Sequence, residues 1–457
     1  MRYGKEVCMS RLFGTDGVRG IANQELTVSL AHKLGRAGAH VLKKGESRPV
    51  VLIGKDTRVS GDMLEDALSA GILSMGGNVI KAGVLTTPAV AYLVRHFHAD
   101  AGVVISASHN SFEHNGIKFF NSDGYKLDDD LEESIEDIIA RDLDISSHIT
   151  GERLGRVIDP AEDSHKLYID FLKASIDADL SGMRIAIDCA NGAASSIAKS
   201  VFAGLGADVI VIHDEPDGIN INHNCGSTHP ADLQATVLRE RAVAGLAFDG
   251  DADRLIAVDE RGQIVDGDRI LYLCAKMLKQ RGELPFDLIT TTVMSNLGFH
   301  KAIETLGLKA DVTQVGDRYV LERMLQTGCV LGGEQSGHII FRRHTTTGDG
   351  ILSALQLLQA MREDGRPLSV MAEDVVLYPQ VLKNVKVRNE SKRHLGKDQE
   401  IAQAISETER RLGDEGRVLI RPSGTEPLVR VMIEGKRADE IEMMAETLAR
   451  LIARNLA

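Results

Sequence analysis

Short apolar runs that read as buried strands, VVLIG at 50–54 and AGVVIS at 101–106, alternate with helical patterns such as GDMLEDALSAGILSMGG. Strands of this kind with a helix between them form βαβ units, which restrict a chain to a largely parallel sheet covered by helices. The alternation recurs. MRIAIDCANGAASSIAKSVFAGLGADVIVI (183–212) and DLITTTVMSNLGFHKAIETLGLKADVTQVG (287–316) each read strand, polar or glycine-rich turn, helix, strand. Three modules of one architecture are predicted, without visible sequence identity between them. From about residue 378 the order changes to strand (QVLKNVKV), helix (EIAQAISETERRL), two strands (RVLIR, PLVRVMIEG) and a last helix, the pattern of a small α+β domain. Polar linkers at 146–155 and 361–369, with a softer boundary after DGDADR, give predicted domains 1–155, 156–256, 257–372 and 373–457.

The length of 457 residues suits several cores, and 43% hydrophobic with 26% charged residues is ordinary for a globular α/β protein. No apolar run approaches a membrane span, and MRYGKEVCMSRLFG has no secretory h-region, so a cytoplasmic protein is expected. Five cysteines (Cys8, Cys189, Cys225, Cys274, Cys329) without a C-x-x-C pair suggest reduced, mostly buried thiols. A net charge of -13 argues against nucleic acid and anionic membranes as partners. It leaves room for a small anion in a locally basic cleft.

Four loops carry candidate chemistry. In AFDGDADRLIAVDE (247–260), Asp249, Asp251 and Asp253 stand at i, i+2 and i+4 after a strand, a spacing that lets three carboxylates converge on one hard cation. An EF-hand reading fails because Arg254 stands where that loop needs glycine and both flanks read as strands. In VISASHNSFEHNGIKFF (104–120), Ser108 is either a strand-end turn residue or a nucleophile, and the nearby Lys118 either a surface lysine or a source of charge. No G-x-S-x-G elbow supports a protease-like triad. Arg421, Ser423, Gly424, Thr425 and Arg430 bracket a strand-to-strand turn whose N–H groups, hydroxyls and guanidinium forks suit a phosphate dianion, although a solvated hairpin tip has the same composition. Glu334, Ser336 and His338 in LGGEQSGHII (331–340) combine carboxylate and hydroxyl as a polyhydroxy ligand requires, or form an ordinary turn.

In this order, SASHN, DGDADR, GEQSGH and RPSGTEPLVR resemble the serine, metal, sugar and phosphate loops of the α-D-phosphohexomutase superfamily, from about residue 11 to 435. RLFGTDGVRG, CGSTHP (225–230), VGDRYV (315–320) and the wording GEQSGH resemble its bacterial amino-sugar branch more than the glucose or mannose branches. The resemblance implies three similar mixed α/β/α domains followed by a C-terminal α+β domain similar to the TATA-binding-protein fold, four domains around a central cleft. It implies an isomerase that interconverts glucosamine 6-phosphate and glucosamine 1-phosphate, feeding UDP-N-acetylglucosamine synthesis, with glucosamine 1,6-bisphosphate as intermediate and candidate activator. Phosphorylated Ser108 would carry the phosphoryl group, with Mg²⁺ held by Asp249, Asp251, Asp253 and a phosphoserine oxygen. Lys118 with Arg19 would handle the proton, His109 standing second, and Arg254 would steady the phosphoryl group. Glu334 and Ser336 would grip sugar hydroxyls with His338 nearby, and Arg421, Ser423, Gly424, Thr425 and Arg430 would hold the phosphate that is not reacting. A homodimer is the family expectation, and the partner otherwise is the small amino sugar phosphate. Arg58 or Ser60 in GKDTRVSG is expected near the phosphoserine, Ser60 reading plainly as a helix N-cap. Ser111 stands where the family usually has proline, which loosens the loop. Residues 1–8 have no counterpart.

Overall fold

The computed structural model describes residues 11–456 apart from 15, 44–47, 142, 144, 146–148 and 424–426. Its first sheet holds β1 (Val18–Ile21), β2 (Val50–Lys55), β3 (Asn78–Val84), β4 (Ala101–Ile105) and β5 (His114–Asn121) in the order β1-β5-β4-β2-β3. The second holds β6 (Arg184–Asp188), β7 (Asp208–Ile212), β8 (Ala244–Phe248), β9 (Leu255–Asp259) and β10 (Ile264–Val265) in the order β10-β9-β8-β6-β7. The third holds β11 (Leu288–Thr292), β12 (Lys309–Thr313), β13 (Leu331–Gly333) and β14 (Ile339–Phe341) in the order β12-β11-β13-β14. Stripped of the edge strands β1 and β10, all three share one order, second-first-third-fourth. In each, the first three strands are parallel and the fourth is antiparallel. The architectural repeat read from the strand–helix alternation is therefore present at the level of topology.

Every residue of β4, β8 and β13 is buried, which is why these strands read as apolar runs and not as alternating ones. In the first domain the helices Val28–Val41 and Gly61–Ser74 pack through glycine. A Cβ on Gly35 would lie 2.2 Å from the Leu68 carbonyl oxygen, and one on Gly71 would lie 2.3 Å from that of His32. Both obstacles are backbone, so Gly35→Ala forces the helices apart. A net loss of about 1–3 kcal/mol is expected despite alanine's better helix propensity, read as a lower urea midpoint at unchanged m-value.

Buried Asp349 caps the helix Gly350–Asp364, accepting from Leu352 N at 3.0 Å, and accepts from the Tyr168 hydroxyl at 2.5 Å. Burial pushes its carboxyl up to about 6 from an ordinary 3.8, so the folded state keeps a proton that the unfolded chain releases. This contribution is complete below the unfolded value and is lost as pH rises through the folded one. Asp349→Asn keeps the cap acceptor and is expected to flatten the stability–pH slope between 3.8 and about 6, an effect on the order of 3 kcal/mol, checked by urea titrations across that range.

Two compact units form, Met1–Met294 with Leu308–Glu373, and Ser295–Gly307 with Asp374–Ala457. In the second, β15 (Gln380–Lys386), β16 (Gly416–Pro422) and β17 (Leu428–Gly435) form an antiparallel sheet in the order β15-β17-β16, covered by the helices Gln399–Leu412 and Ala438–Leu456. The helix Leu297–Thr305 joins this unit because buried Glu434 accepts from Leu297 N at 3.2 Å and from Arg417, while Asn296 Oδ1 accepts from Tyr378 N at 2.9 Å. Cys189, Cys225, Cys274 and Cys329 are free and buried, as expected, and Cys8 lies outside the described residues. Among the described residues no helix is long and apolar enough to cross a membrane.

Candidate active site

The serine, aspartate and sugar loops occupy one topological position. Each leaves the C-terminal end of the third strand of its sheet and returns as the antiparallel fourth: 106–113 between β4 and β5, 249–254 between β8 and β9, 334–338 between β13 and β14. The carboxyl ends of parallel strands are where open α/β sheets place ligands. Here three sheets bring those ends together. A Cβ on Gly250 would lie 2.6 Å from the Ser108 carbonyl oxygen, and one on Gly337 2.1 Å from that of Leu255, so both close approaches require glycine.

Ser108 is buried and adopts left-handed backbone with φ 53°. A serine held there needs external support. Arg58 Nη2 donates to the Ser108 and Asn110 carbonyls at 2.9 Å each, Asn222 Nδ2 to the same two at 2.8 and 2.9 Å, and Ser108 N donates to Ser106 Oγ at 2.9 Å. Asp56 orients Arg58 through Nε at 2.9 Å, and Arg58 also reaches the Ser111 carbonyl. The looseness expected from Ser111 in place of proline is thus countered by the buried guanidinium. Ser60 departs from its plain reading: it precedes the helix but makes no side-chain cap, and its Oγ accepts from Asn115 Nδ2 at 2.9 Å. With its own backbone in the αR region, it is poorly placed to cap.

The serine hydroxyl donates to Asp249 Oδ2 at 2.6 Å. Carboxylate oxygens of Asp249, Asp251 and Asp253 lie within 4.8 Å of one another, all three residues buried. Asp251 Oδ1 and Asp253 Oδ1 are inaccessible and accept no hydrogen bond among the described residues. Burial, then Asp253 and Asp251, push the Asp249 carboxyl well above its usual value. Three buried carboxylates with orphaned oxygens fit a hard divalent cation, whose charge would remove that penalty. The group can bind a metal.

Around them stands an alternating charge network. Lys118 Nζ lies 2.8 Å from Asp251 Oδ2 and 3.0 Å from Asp16 Oδ2, Lys126 joins Asp16 to Asp317 at 2.6 and 2.5 Å, and Arg19 pairs with Asp16. Burial disfavours the Lys118 charge, yet Asp16 and Asp251 hold its pKa above the usual lysine value. His109 Nδ1 is 3.4 Å from Ser108 Oγ; burial, Arg254 and Arg19 lower its pKa to about 4, so the ring is neutral at neutral pH. Arg254 is held beside Asp253, Nε to Oδ1 3.9 Å.

Glu334 is half-buried and accepts from Gly316 N at 3.1 Å, and Ser336 is exposed at the loop tip. His338, expected near the sugar, ends the same loop. It is 3% exposed beneath the aspartate loop, with Nδ1 3.6 Å from Asp253 Oδ2 and Nε2 accepting from Gly348 N at 3.0 Å. Its ring backs the Asp253 carboxylate. In the second unit Arg421 and Arg430 are register partners across β16 and β17, and Ser423 N donates to Leu428 O at 2.9 Å; Gly424 and Thr425 lie outside the described residues. Sequence reasoning missed Asp16, Asp56, Lys126, Asn222 and Asp317, and Thr87, whose Oγ1 donates to Asp251 Oδ2 at 2.7 Å. The acid–base spacing in KDTR was a usable signal for Asp56, whereas Asn222 carried none.

Four family models match in order: Phosphoglucomutase/phosphomannomutase alpha/beta/alpha domain I at 10–145, domain II at 166–262, domain III at 266–378 and the C-terminal domain at 382–451. The chain belongs to the phosphoglucomutase/phosphomannomutase family, the class of phosphohexose mutases. It is 57% identical to the phosphoglucosamine mutase of Thermoanaerobacter sp. (strain X514), over 98% of this chain and 100% of that one. It is accordingly an isomerase, grouping with the phosphoglucosamine mutases. In fold it matches a phosphoglucomutase/phosphomannomutase family protein from Burkholderia thailandensis (24% identity, 98% of both chains, TM-score 0.82). It also matches an Aspergillus fumigatus N-acetylphosphoglucosamine mutase in complex with GlcNAc-6P and magnesium (18% identity, 98% and 96% of the chains, TM-score 0.70).

Proposed function

We propose that this chain interconverts glucosamine 6-phosphate and glucosamine 1-phosphate with phosphorylated Ser108 as carrier and glucosamine 1,6-bisphosphate as intermediate. The observation behind this is the buried Ser108 hydroxyl, 2.6 Å from Asp249 and beside two carboxylates with unpartnered oxygens. Asp249, Asp251, Asp253 and a phosphoserine oxygen would hold Mg²⁺, which when bound neutralises phosphate charge that the protein alone leaves in excess. In the first transfer the bond from phosphorus to Ser108 Oγ breaks and one to a sugar hydroxyl forms; in the second, the bond from the other phosphorus to its sugar oxygen breaks, one to Ser108 Oγ forms, and the sugar oxygen takes up a proton. Lys118 with Arg19 handles the hydroxyl proton, His109 standing second, and Arg254 steadies the phosphoryl oxygens. Glu334 and Ser336 grip sugar hydroxyls. Arg421, Ser423, Gly424, Thr425 and Arg430 take the phosphate that is not reacting. The product class, an amino sugar 1-phosphate, suits nucleotide-sugar synthesis for cell-wall precursors in a cytoplasmic setting, and a homodimer is the proposed assembly.

Side-by-side assays of glucosamine, glucose and mannose 6-phosphates test the assignment. Glucosamine phosphate is expected to exceed the others in kcat/KM by at least about tenfold, with isomerisation outrunning release of free phosphate. Equal turnover of glucose or mannose phosphate overturns it.

A further inference from the structure

The second domain holds another group of metal-ligating side chains, apart from the aspartate triplet. Asp188 ends β6, His213 directly follows β7, and Cys225 of CGSTHP, which the proposed reaction does not use, precedes the turn Gly226–Thr228. A carboxylate oxygen, a ring nitrogen and the sulfur of these residues lie within 4.8 Å of one another. Asp188 and Cys225 are buried, while the His213 side chain is 25% exposed.

Asp188 and His213 face each other closely enough that the carboxylate raises the histidine pKa against the effect of burial. His213 Nδ1 stands 3.1 Å from Asp188 Oδ2, yet it is solvent-inaccessible and makes no properly angled hydrogen bond among the described residues. Each ligand atom also has an orienting partner. Asp232 Oδ2 is 3.4 Å from His213 Nε2, and Asn191 Nδ2 donates towards Cys225 Sγ at 4.0 Å. Ala190 N and Gly226 N donate to the two Asp188 oxygens at 2.9 Å each. A carboxylate on the far nitrogen of a histidine and N–H donors on a sulfur are what orients metal ligands.

We propose that Asp188, His213 and Cys225 bind one zinc-type divalent transition ion, with a fourth position open to water. Sulfur, imidazole and carboxylate together favour such an ion over Mg²⁺, which suits the all-oxygen triplet. On binding, the Cys225 S–H bond is replaced by a sulfur–metal bond and the proton leaves to solvent. The ion braces the wall behind the serine loop: Asn191 O accepts from Thr57 Oγ1 at 2.6 Å, Asn222 N donates to Ala190 O at 2.9 Å, and Asn222 carries the Ser108 and Asn110 carbonyls.

The test is a Co²⁺ titration of metal-stripped full-length chain in saturating Mg²⁺ with a phosphine reductant. The expected result is a thiolate-to-cobalt charge-transfer band that saturates at one equivalent and is bleached by Zn²⁺. Cys225→Ser should abolish it and His213→Ala should weaken Co²⁺ binding at least about tenfold, while Cys189→Ser and Asp253→Asn retain it. No band, a band that survives Cys225→Ser, or one indifferent to His213→Ala overturns the proposal. If Cys225→Ser does not fold, the partly exposed His213 variant decides.

Discussion

Ser108→Ala is expected to lower mutase turnover by about 10⁴-fold or more, because it removes the atom to which phosphorus is transferred and not merely a contact. The substitution deletes the hydrogen bond to Asp249 Oδ2 and leaves the loop's other anchors, Arg58 and Asn222 on the Ser108 carbonyl, in place. Stability should therefore change little, and circular dichroism with a urea titration separates a chemical loss from a folding loss. Intact mass and peptide mapping supply the second readout: the active enzyme should carry one added phosphoryl group on the peptide containing SASHN, and the variant none. Undiminished activity in the alanine variant would remove Ser108 from the reaction.

Asp253→Asn should cost about 10²–10⁴-fold in kcat, with a raised Mg²⁺ requirement that excess Mg²⁺ partly relieves. Asp253 is the informative member of the triplet. Its Oδ1, like that of Asp251, has no hydrogen-bond partner among the described residues, and its Oδ2 lies 3.6 Å from His338 Nδ1, whereas Asp251 pairs with Lys118 and Thr87 and Asp249 receives the reacting Ser108. Asparagine keeps the shape and removes the charge, so the loss reports on the cation. Chelation of the unmodified enzyme should reproduce it, and an unchanged dependence on Mg²⁺ by calorimetry and kinetics would place the cation elsewhere.

The repeated domains were legible because β4, β8 and β13 are buried on both faces and must be continuously apolar. The aspartate triplet was legible because its three members are adjacent in one loop, where mutual repulsion calls for a cation. The supports were not. Asn222 is 114 residues from the carbonyl of Ser108 that it holds, and Asp16 meets Lys118 and Lys126 only after β1 pairs with β5. Their partners are fixed by sheet packing and not by spacing along the chain. His338 shows the same limit, since its loop position is visible in GEQSGH but its contacts with Asp253 and Gly348 are made only in the folded chain.

From the sequence alone come the residue types able to carry phosphate and bind a cation, their grouping in short loops, and the periodicity that makes three α/β modules and one α+β domain. Only the tertiary structure decided that three of those loops leave equivalent strands and that Ser108 meets Asp249. The physical reason is that a loop's composition is written locally, whereas the approach of two loops depends on backbone contacts such as Gly250 against Ser108 that no local pattern encodes.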